Sequence, residues 1–210
     1  MSATALTSAD VDALRECVAR AGVAVFPSDT VYGLGCDPGS EAAVGRLYAL
    51  KGRPPARPAA VMFFALEPVL RALPELQARE RAALRALLPG LLTLLLPNRR
   101  RRFALACGPD PTTLGLRVPL LGADLAALGA LEVPLLQSSA NISGEPAARR
   151  LADVPQRLRA GADLVLDAGE LPGLASTVLD LREYERSGQW RIVREGPVGR
   201  AELERALAAR

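Results

Sequence analysis

Three features of this chain predict an α/β (α+β) fold built on a twisted mixed sheet with helices on its faces. Short apolar runs such as Val23–Pro27, Leu91–Leu96 and Pro134–Gln137 alternate with segments of helical spacing. The apolar residues are mostly Leu, Ala and Val, at 50% hydrophobic but only 4% aromatic content, which suits helices packed on sheets. Strands and helices do not alternate in steady βαβ units of ~30 residues, so parallel and antiparallel pairs are expected side by side. At 210 residues the chain can bury a substantial core, and a single domain over 1–210 is expected.

In chain order, Ser8–Ala21 has helical spacing in Val11, Leu14 and Val18, with Thr7 or Ser8 as N-cap and Gly22 as the stop. Val23–Pro27 is a short buried strand that breaks into the polar turn Ser28-Asp29-Thr30. Ser40 caps a helix over Glu41–Leu50, which buries Val44, Leu47 and Tyr48 and ends at Gly52. The proline-rich stretch Pro54–Pro58 precludes regular structure, and Ala60–Ala65 reads as the next strand. Helices are expected around Pro68–Ala72 and Ala78–Leu87, the second presenting Arg79, Glu80, Arg81 and Arg85 on an exposed face before Pro89-Gly90 stops it. Leu91–Leu96 reads as a fully buried strand, and Asn98–Arg102 as a basic turn, a solvated loop rather than an RNA contact. A strand at Leu114–Pro119, a helix at Ala123–Gly129 and a strand at Pro134–Gln137 follow. The remainder predicts a helix near Val154–Arg159, strands at Asp163–Asp167, Thr177–Leu181 and Arg191–Val193, and a final helix from Ala201.

Composition removes whole classes of chemistry. With no histidine, Ser-His-Asp and Cys-His catalysis and every His-ligated metal site are excluded. Cys17, Cys36 and Cys107 are odd in number and form no Cys-x-x-Cys pair, which points away from zinc or a disulfide framework and towards a reducing compartment. The start, Met1 to Ala5, has no basic and no apolar signal region, and no run reaches the ~20 apolar residues of a membrane span. A cytoplasmic protein without membrane contact is expected. The net charge of +3 and a pI near 9.0 permit an anionic partner without requiring one.

Lys51 is the only lysine beside 25 arginines. An ammonium is a compact point charge and a guanidinium a planar fork, so a lone Lys next to Gly52 marks a place where Arg does not fit, against the alternative of chance retention at a solvated helix end. Arg117 sits amid apolar strand residues, where a charge is costly unless paired, so it faces a carboxylate or an anionic ligand. There is no Walker A sequence, and the Tyr-Gly-Leu-Gly at 32–35 opens no helix. Phosphate must then be met by Lys51, Arg53, the hydroxyls of Ser138, Ser139 and Ser143, the Asn141 amide and loop N–H groups. Three strand ends rich in hydroxyls, at Ser28–Thr30, Ser138–Asn141 and Ser176-Thr177, are expected to converge on one pocket.

Taken in order, seven segments resemble the YrdC-like family of threonylcarbamoyl-AMP synthases over about residues 7–198. They are Pro-Ser-Asp-Thr-Val-Tyr-Gly-Leu from Pro27, Lys-Gly-Arg-Pro from Lys51, Pro-Gly-x-Leu-Thr-Leu from Pro89, Leu-Arg-Val-Pro from Leu116, Ser-Ser-Ala-Asn-Ile-Ser-Gly from Ser138, Ser-Thr-Val-Leu-Asp from Ser176 and Val-Arg-Glu-Gly from Val193. The resemblance implies a YrdC-like domain with a central concave basic cavity, without the extra C-terminal domain of longer members. It implies a nucleotidyltransferase that converts ATP, L-threonine and bicarbonate or CO2 into threonylcarbamoyl-AMP and pyrophosphate, the first step of threonylcarbamoyladenosine formation in tRNA. Mg2+ would be carried by the phosphates, with no metal held by protein ligands. The product would pass to a tRNA-modifying transferase complex, with at most weak contact to tRNA itself. Carried over to this sequence, Lys51 and Arg53 are the catalytic cations that hold phosphates and carbamate. Ser139, Asn141 and Arg194 join them around the adenylate, and Thr30, Tyr32, Arg117 and Ser176 line the threonine end.

The sequence departs from the family pattern at Ser28 for Thr, at Arg57-Pro58-Ala59 for Asn-Pro-Leu, at Leu88 and Leu91 around Pro89-Gly90, and at Ala175 for Glu. A second reading is an RNA-binding or ribosome-associated module of the same fold, its basic face extended by Arg99–Arg102; hydroxyls and Asn at strand ends are more than polyanion binding needs. A third, the module fused into hydrogenase-maturation carbamoyltransferases, lacks here the zinc-type Cys motifs that accompany it.

Overall fold

The structure, a computed structural model, describes residues 5–54 and 56–208; residues 1–4, expected to carry no leader, and Pro55 of the proline loop lie outside it. The first helix, α1 (Ser8–Ala19), starts in a capping box: the Thr7 hydroxyl accepts from the Asp10 N–H, and the Asp10 carboxylate accepts from the Thr7 N–H. Its apolar face (Val11, Leu14, Val18) is buried, as its spacing predicts. The chain then enters β1 (Ala24–Pro27), every residue of which is buried.

A second strand, β2 (Tyr32–Cys36), pairs antiparallel with β1 across the Ser28–Val31 turn, where the sequence pattern shows no strand. Gly33 and Gly35 mask it, and both are there for close approach. A Cβ on Gly35 would lie 2.7 Å from the Phe26 ring, and one on Gly33 would lie 2.9 Å from the Gln137 amide. Helix α2 (Glu41–Lys51) follows, with Ser40 accepting from the Ala43 N–H and Gly52 closing it in the left-handed conformation at φ 61°.

The remaining elements are β3 (Ala60–Met62), α3 (Leu66–Ala72), α4 (Ala78–Leu87), β4 (Leu92–Pro97), β5 (Thr113–Arg117), β6 (Leu135–Ser139), α5 (Gln156–Gly161), β7 (Leu164–Val165), β8 (Thr177–Asp180), α6 (Tyr184–Ser187), β9 (Arg191–Arg194) and α7 (Arg200–Ala208). The helix expected at Ala123–Gly129 is present as a 3-10 helix over Ala123–Ala130. Among the described residues the strands form one nine-stranded sheet in the order β7-β1-β2-β6-β3-β5-β4-β8-β9. Three pairs are parallel (β1/β7, β3/β5, β4/β8) and the others antiparallel, the mixed sheet expected from the irregular alternation. No helix among the described residues is long and apolar enough to cross a membrane.

Two expectations are corrected. Leu92–Pro97 alternates between buried and half-buried residues instead of being buried throughout, because only Leu92, Leu94 and Leu96 face the core. The other face of the strand looks into a cavity. Glu80 is not on the exposed face of α4: its side chain is fully buried, and its carboxylate accepts from both Arg99 Nη atoms (2.8 and 2.9 Å) and from the Gln77 N–H. Arg99 and Arg102 are therefore committed, the latter to Glu75, and this half of the basic run is structural. A second ion-pair hub closes the β8–β9 end, where Asp180 accepts from Arg182 and Arg191 and its carboxyl is held down at about 2, chiefly by the Arg182 hydrogen bond.

Glu80→Ala should lower unfolding stability by about 2 kcal/mol in chemical denaturation, since it strands Arg99 and an N-terminal helix N–H, whereas the exposed Arg85→Ala should cost less than about 0.5 kcal/mol. The Asp180 carboxyl is more acidic folded than unfolded, so its stabilisation is complete above its ordinary value near 3.8 and is lost as pH falls towards 2. Wild type should therefore lose about 1 kcal/mol over that interval, solvent screening of the exposed arginines having reduced the gain, that Asp180→Asn does not lose, as read from urea midpoints at each pH.

Candidate active site

Period-two geometry hollows one face of the sheet. On β5, Leu114 and Leu116 point into the core, while Thr113, Gly115 and Arg117 line a cavity of about 470 Å3. Thr93 and Leu95 of β4 and Val178 of β8 continue the same wall. The small residues Gly115 and Ala60 lie side by side on β5 and β3, leaving room above the sheet.

The three strand ends rich in hydroxyls do converge. Thr30, Ser138, Ser139 and Ser176 all border this cavity, together with Arg53, Arg117 and Arg194. Arg117 reaches across from β5 to the β1–β2 turn, where Nη2 donates to Asp29 Oδ1 at 2.7 Å and lies 3.4 Å from Thr30 Oγ1. The Arg117 and Asp29 side chains are 5% and 0% exposed. Asp29 is thus the carboxylate that a charge in this strand requires. Burial lowers the Arg117 pKa and raises that of Asp29, each countered by the other's charge, and the neighbouring Arg194 guanidinium lowers Arg117 further. The Nε of Arg117, fully buried, has no acceptor among the described residues.

Ser176 stands opposite Thr93, their hydroxyl oxygens 2.8 Å apart. Arg194 folds back to donate through Nη2 to the Ser176 carbonyl at 2.7 Å. That arrangement needs Gly196, since a Cβ there would sit 2.4 Å from the Thr177 nitrogen and 2.6 Å from the Ala175 oxygen. At the opposite wall, Arg53 donates to Ser138 Oγ (3.1 Å) and to the carbonyls of Arg57 and Pro58, and lies 5.7 Å from the centre of the Tyr48 ring.

Lys51 does not border the cavity. It lies just behind the wall, almost fully buried, and among the described residues its ammonium meets only oxygens of the Ser-Ala-Asn turn. Nζ donates to Asn141 Oδ1 (2.7 Å), the Asn141 carbonyl (2.9 Å), Ser139 Oγ (3.2 Å) and the Ser139 carbonyl. Its own carbonyl accepts from the Ser143 N–H at 3.1 Å. Burial, then the charges of Arg53 and Arg57, push its pKa down to about 8. Asn141 is likewise behind the wall, and its Oδ1 also accepts from Ser139 Oγ at 2.5 Å.

Tyr32 is placed differently from the other candidates. Its hydroxyl is bound by Asp167 Oδ1 (2.6 Å), the Gly169 carbonyl and the Ala168 N–H, away from the cavity. Its backbone carbonyl accepts from the Ala140 N–H at 2.8 Å, so it seats the Ser-Ala-Asn turn through its main chain. Thr93, Gln137 and Arg182 border the cavity without having been singled out. Thr93 was hidden within an apolar run, and only its position opposite Ser176 distinguishes it. A larger, more open hollow of about 1140 Å3 adjoins the cavity across Thr113 and Arg182. Its guanidiniums are mostly tied to carboxylates, Arg182 and Arg191 to Asp180 and Arg99 to Glu80, so the smaller cavity is the stronger candidate for chemistry.

The same architecture occurs in known proteins. The Sua5/YciO/YrdC family model, described as telomere recombination, matches residues 16–196. A threonylcarbamoyl-AMP synthase from Chromohalobacter salexigens is 40% identical over 171 residues, covering 79% of this chain and 89% of its own. The crystal structure of P. abyssi Sua5 complexed with L-threonine superposes with a TM-score of 0.80 at 26% identity, over 96% of this chain and 58% of that one. E. coli YciO superposes with a TM-score of 0.76 at 25% identity, over 97% of both chains. Motif order, mixed-sheet topology and the match across most of its length agree: this chain belongs to the Sua5/YciO/YrdC family.

Proposed function

We propose that this chain is a threonylcarbamoyl-AMP synthase, joining L-threonine, bicarbonate or CO2 and ATP into threonylcarbamoyl-AMP with release of pyrophosphate. The observation that carries this reading is a single cavity with a buried, incompletely paired guanidinium at one end and the Arg53–Ser138–Ser139 wall at the other. The named activity of the Chromohalobacter relative and the L-threonine bound in the P. abyssi structure support it.

In this reading Arg117 receives the threonine carboxylate, and Thr30 and the Thr93–Ser176 hydroxyl pair surround the rest of the amino acid. The amine takes up CO2, losing a proton, to form a carbamate. A carbamate oxygen then attacks the α-phosphorus of ATP as pyrophosphate departs on the opposite side. An anionic nucleophile needs no strong protein base, so a chain without histidine can do this. Anion attacking anion needs fixed positive charge in an enclosed site. Arg53, Arg194 and, from behind Ser139, Lys51 supply it, while Ser139 and Asn141 shape the adenylate side. Tyr32 contributes through the wall it seats rather than through its hydroxyl. Among the described residues no three His, Cys, Asp or Glu side chains converge as a metal cage. Mg2+ enters this scheme on the phosphates of ATP, whose charge it offsets. The product is then passed in the cytoplasm to a tRNA-modifying transferase.

Lys51→Ala should reduce threonine- and bicarbonate-dependent pyrophosphate release by at least about 100-fold, the scale of losing one preorganised cationic donor. It should also lower the melting temperature, because four oxygens lose their common donor. Wild-type turnover in a folded Lys51→Ala protein would refute the role, and mass spectrometry of the adenylate product tests the reaction itself.

A further inference from the structure

We propose that Asp29 is a positioning residue for the amino-acid substrate: it locks the Arg117 guanidinium so that Arg117 presents its unfilled donors to the substrate's carboxylate. This inference rests on the threonine-binding reading and extends it to a residue that does not itself border the cavity.

Both oxygens of Asp29 are spoken for. Oδ1 accepts from Arg117 Nη2 at 2.7 Å, and Oδ2 accepts from the Leu120 N–H at 3.1 Å. The carboxylate therefore pins both the arginine and the segment leaving β5 to the β1–β2 turn. A guanidinium held through one Nη has a single free rotation left, and the second anchor, from Leu120, removes the slack in the backbone that carries it. Arg117 borders the cavity and donates only through Nη2 among the described residues, so Nη1 is the donor left for a ligand, while Nε is fully buried without an acceptor. The local charge points the same way. Arg117 is paired with one carboxylate, Asp29, and also feels the charge of the nearby Arg194, so the two guanidiniums outnumber the carboxylate here. An incoming carboxylate would fill the empty donor and balance the charge, whereas a neutral ligand would do neither. Were Asp29 present only to neutralise a buried arginine, the backbone anchor to Leu120 would not be needed.

The test compares steady-state kinetics of wild type and Asp29→Asn, which keeps the shape and an acceptor for Leu120 but removes the charge. The KM for L-threonine should rise about tenfold or more, the scale of losing one charge-assisted hydrogen bond, with kcat and the KM for ATP within about twofold. The preference of wild type for L-threonine over L-threoninamide, which lacks the anionic carboxylate, should narrow by a similar factor. A drop in kcat at unchanged threonine KM is what a merely structural role predicts, and it overturns the proposal. If Asp29→Asn does not fold, Asp29→Asn/Arg117→Gln leaves no buried charge unpaired and replaces it. That pair should stabilise in response to L-threonine no less than Arg117→Gln alone, and a further loss overturns the proposal. Should wild type release no pyrophosphate with threonine yet gain thermal stability from it, the synthase reading fails while Asp29 is still tested through that stabilisation. No stabilisation of wild type by L-threonine overturns both.

Discussion

The cavity-bearing side of the molecule depends on one buried ammonium that has no carboxylate partner among the described residues. Lys51 Nζ gathers four oxygens from Ser139 and Asn141, and the Lys51 carbonyl takes the Ser143 N–H, so one residue holds the whole turn by both of its ends. Removing an ammonium from water is costly, and only this many well-placed acceptors offset it. A tetrahedral group with three donors can meet oxygens arranged around a point, and a planar fork cannot. This explains physically why the chain's single lysine stands here among 25 arginines. It also explains how a residue outside the cavity governs it: Ser139, which borders the cavity, has its orientation set from behind.

The cavity itself results from strand parity combined with small residues. The same strands that bury Leu92, Leu94, Leu114 and Leu116 in the core present Thr93, Gly115, Arg117 and Val178 to the hollow, so core and site are two faces of one sheet. The sheet order places the β1–β2 turn and β5 two strands apart, on either side of β6 and β3. The Arg117–Asp29 pair bridges them. A buried ion pair is weak support for stability by itself. Here one partner borders a cavity and donates only through Nη2 among the described residues, an arrangement suited to recognising an anion.

Much of the site was legible because its chemistry is written locally. The hydroxyl-rich strand ends, the lone lysine and an arginine within an apolar strand each break a local rule, and each falls at or immediately behind the cavity. What was not legible depends on partners far along the chain. Glu80 sits on a segment whose charges look solvated, and only the fold brings Arg99 over it. Tyr32 belongs to a motif that points to substrate, yet Asp167 and Gly169 draw its hydroxyl elsewhere. Strand β2 reads as loop because its glycines serve the packing of Phe26 and Gln137, a role that no propensity scale records.

By itself, the sequence determined the class of fold, the absence of histidine chemistry, the family likeness and the residue types available to meet an anion. These follow from periodicity, composition and the order of short motifs, all of which act over a few residues. The tertiary structure decided which of those residues share a cavity, which support it from behind and which are tied up elsewhere. Those outcomes depend on strand register and on contacts between residues as far apart as Asp29 and Arg117 or Lys51 and Asn141, and a linear pattern carries no distance between them.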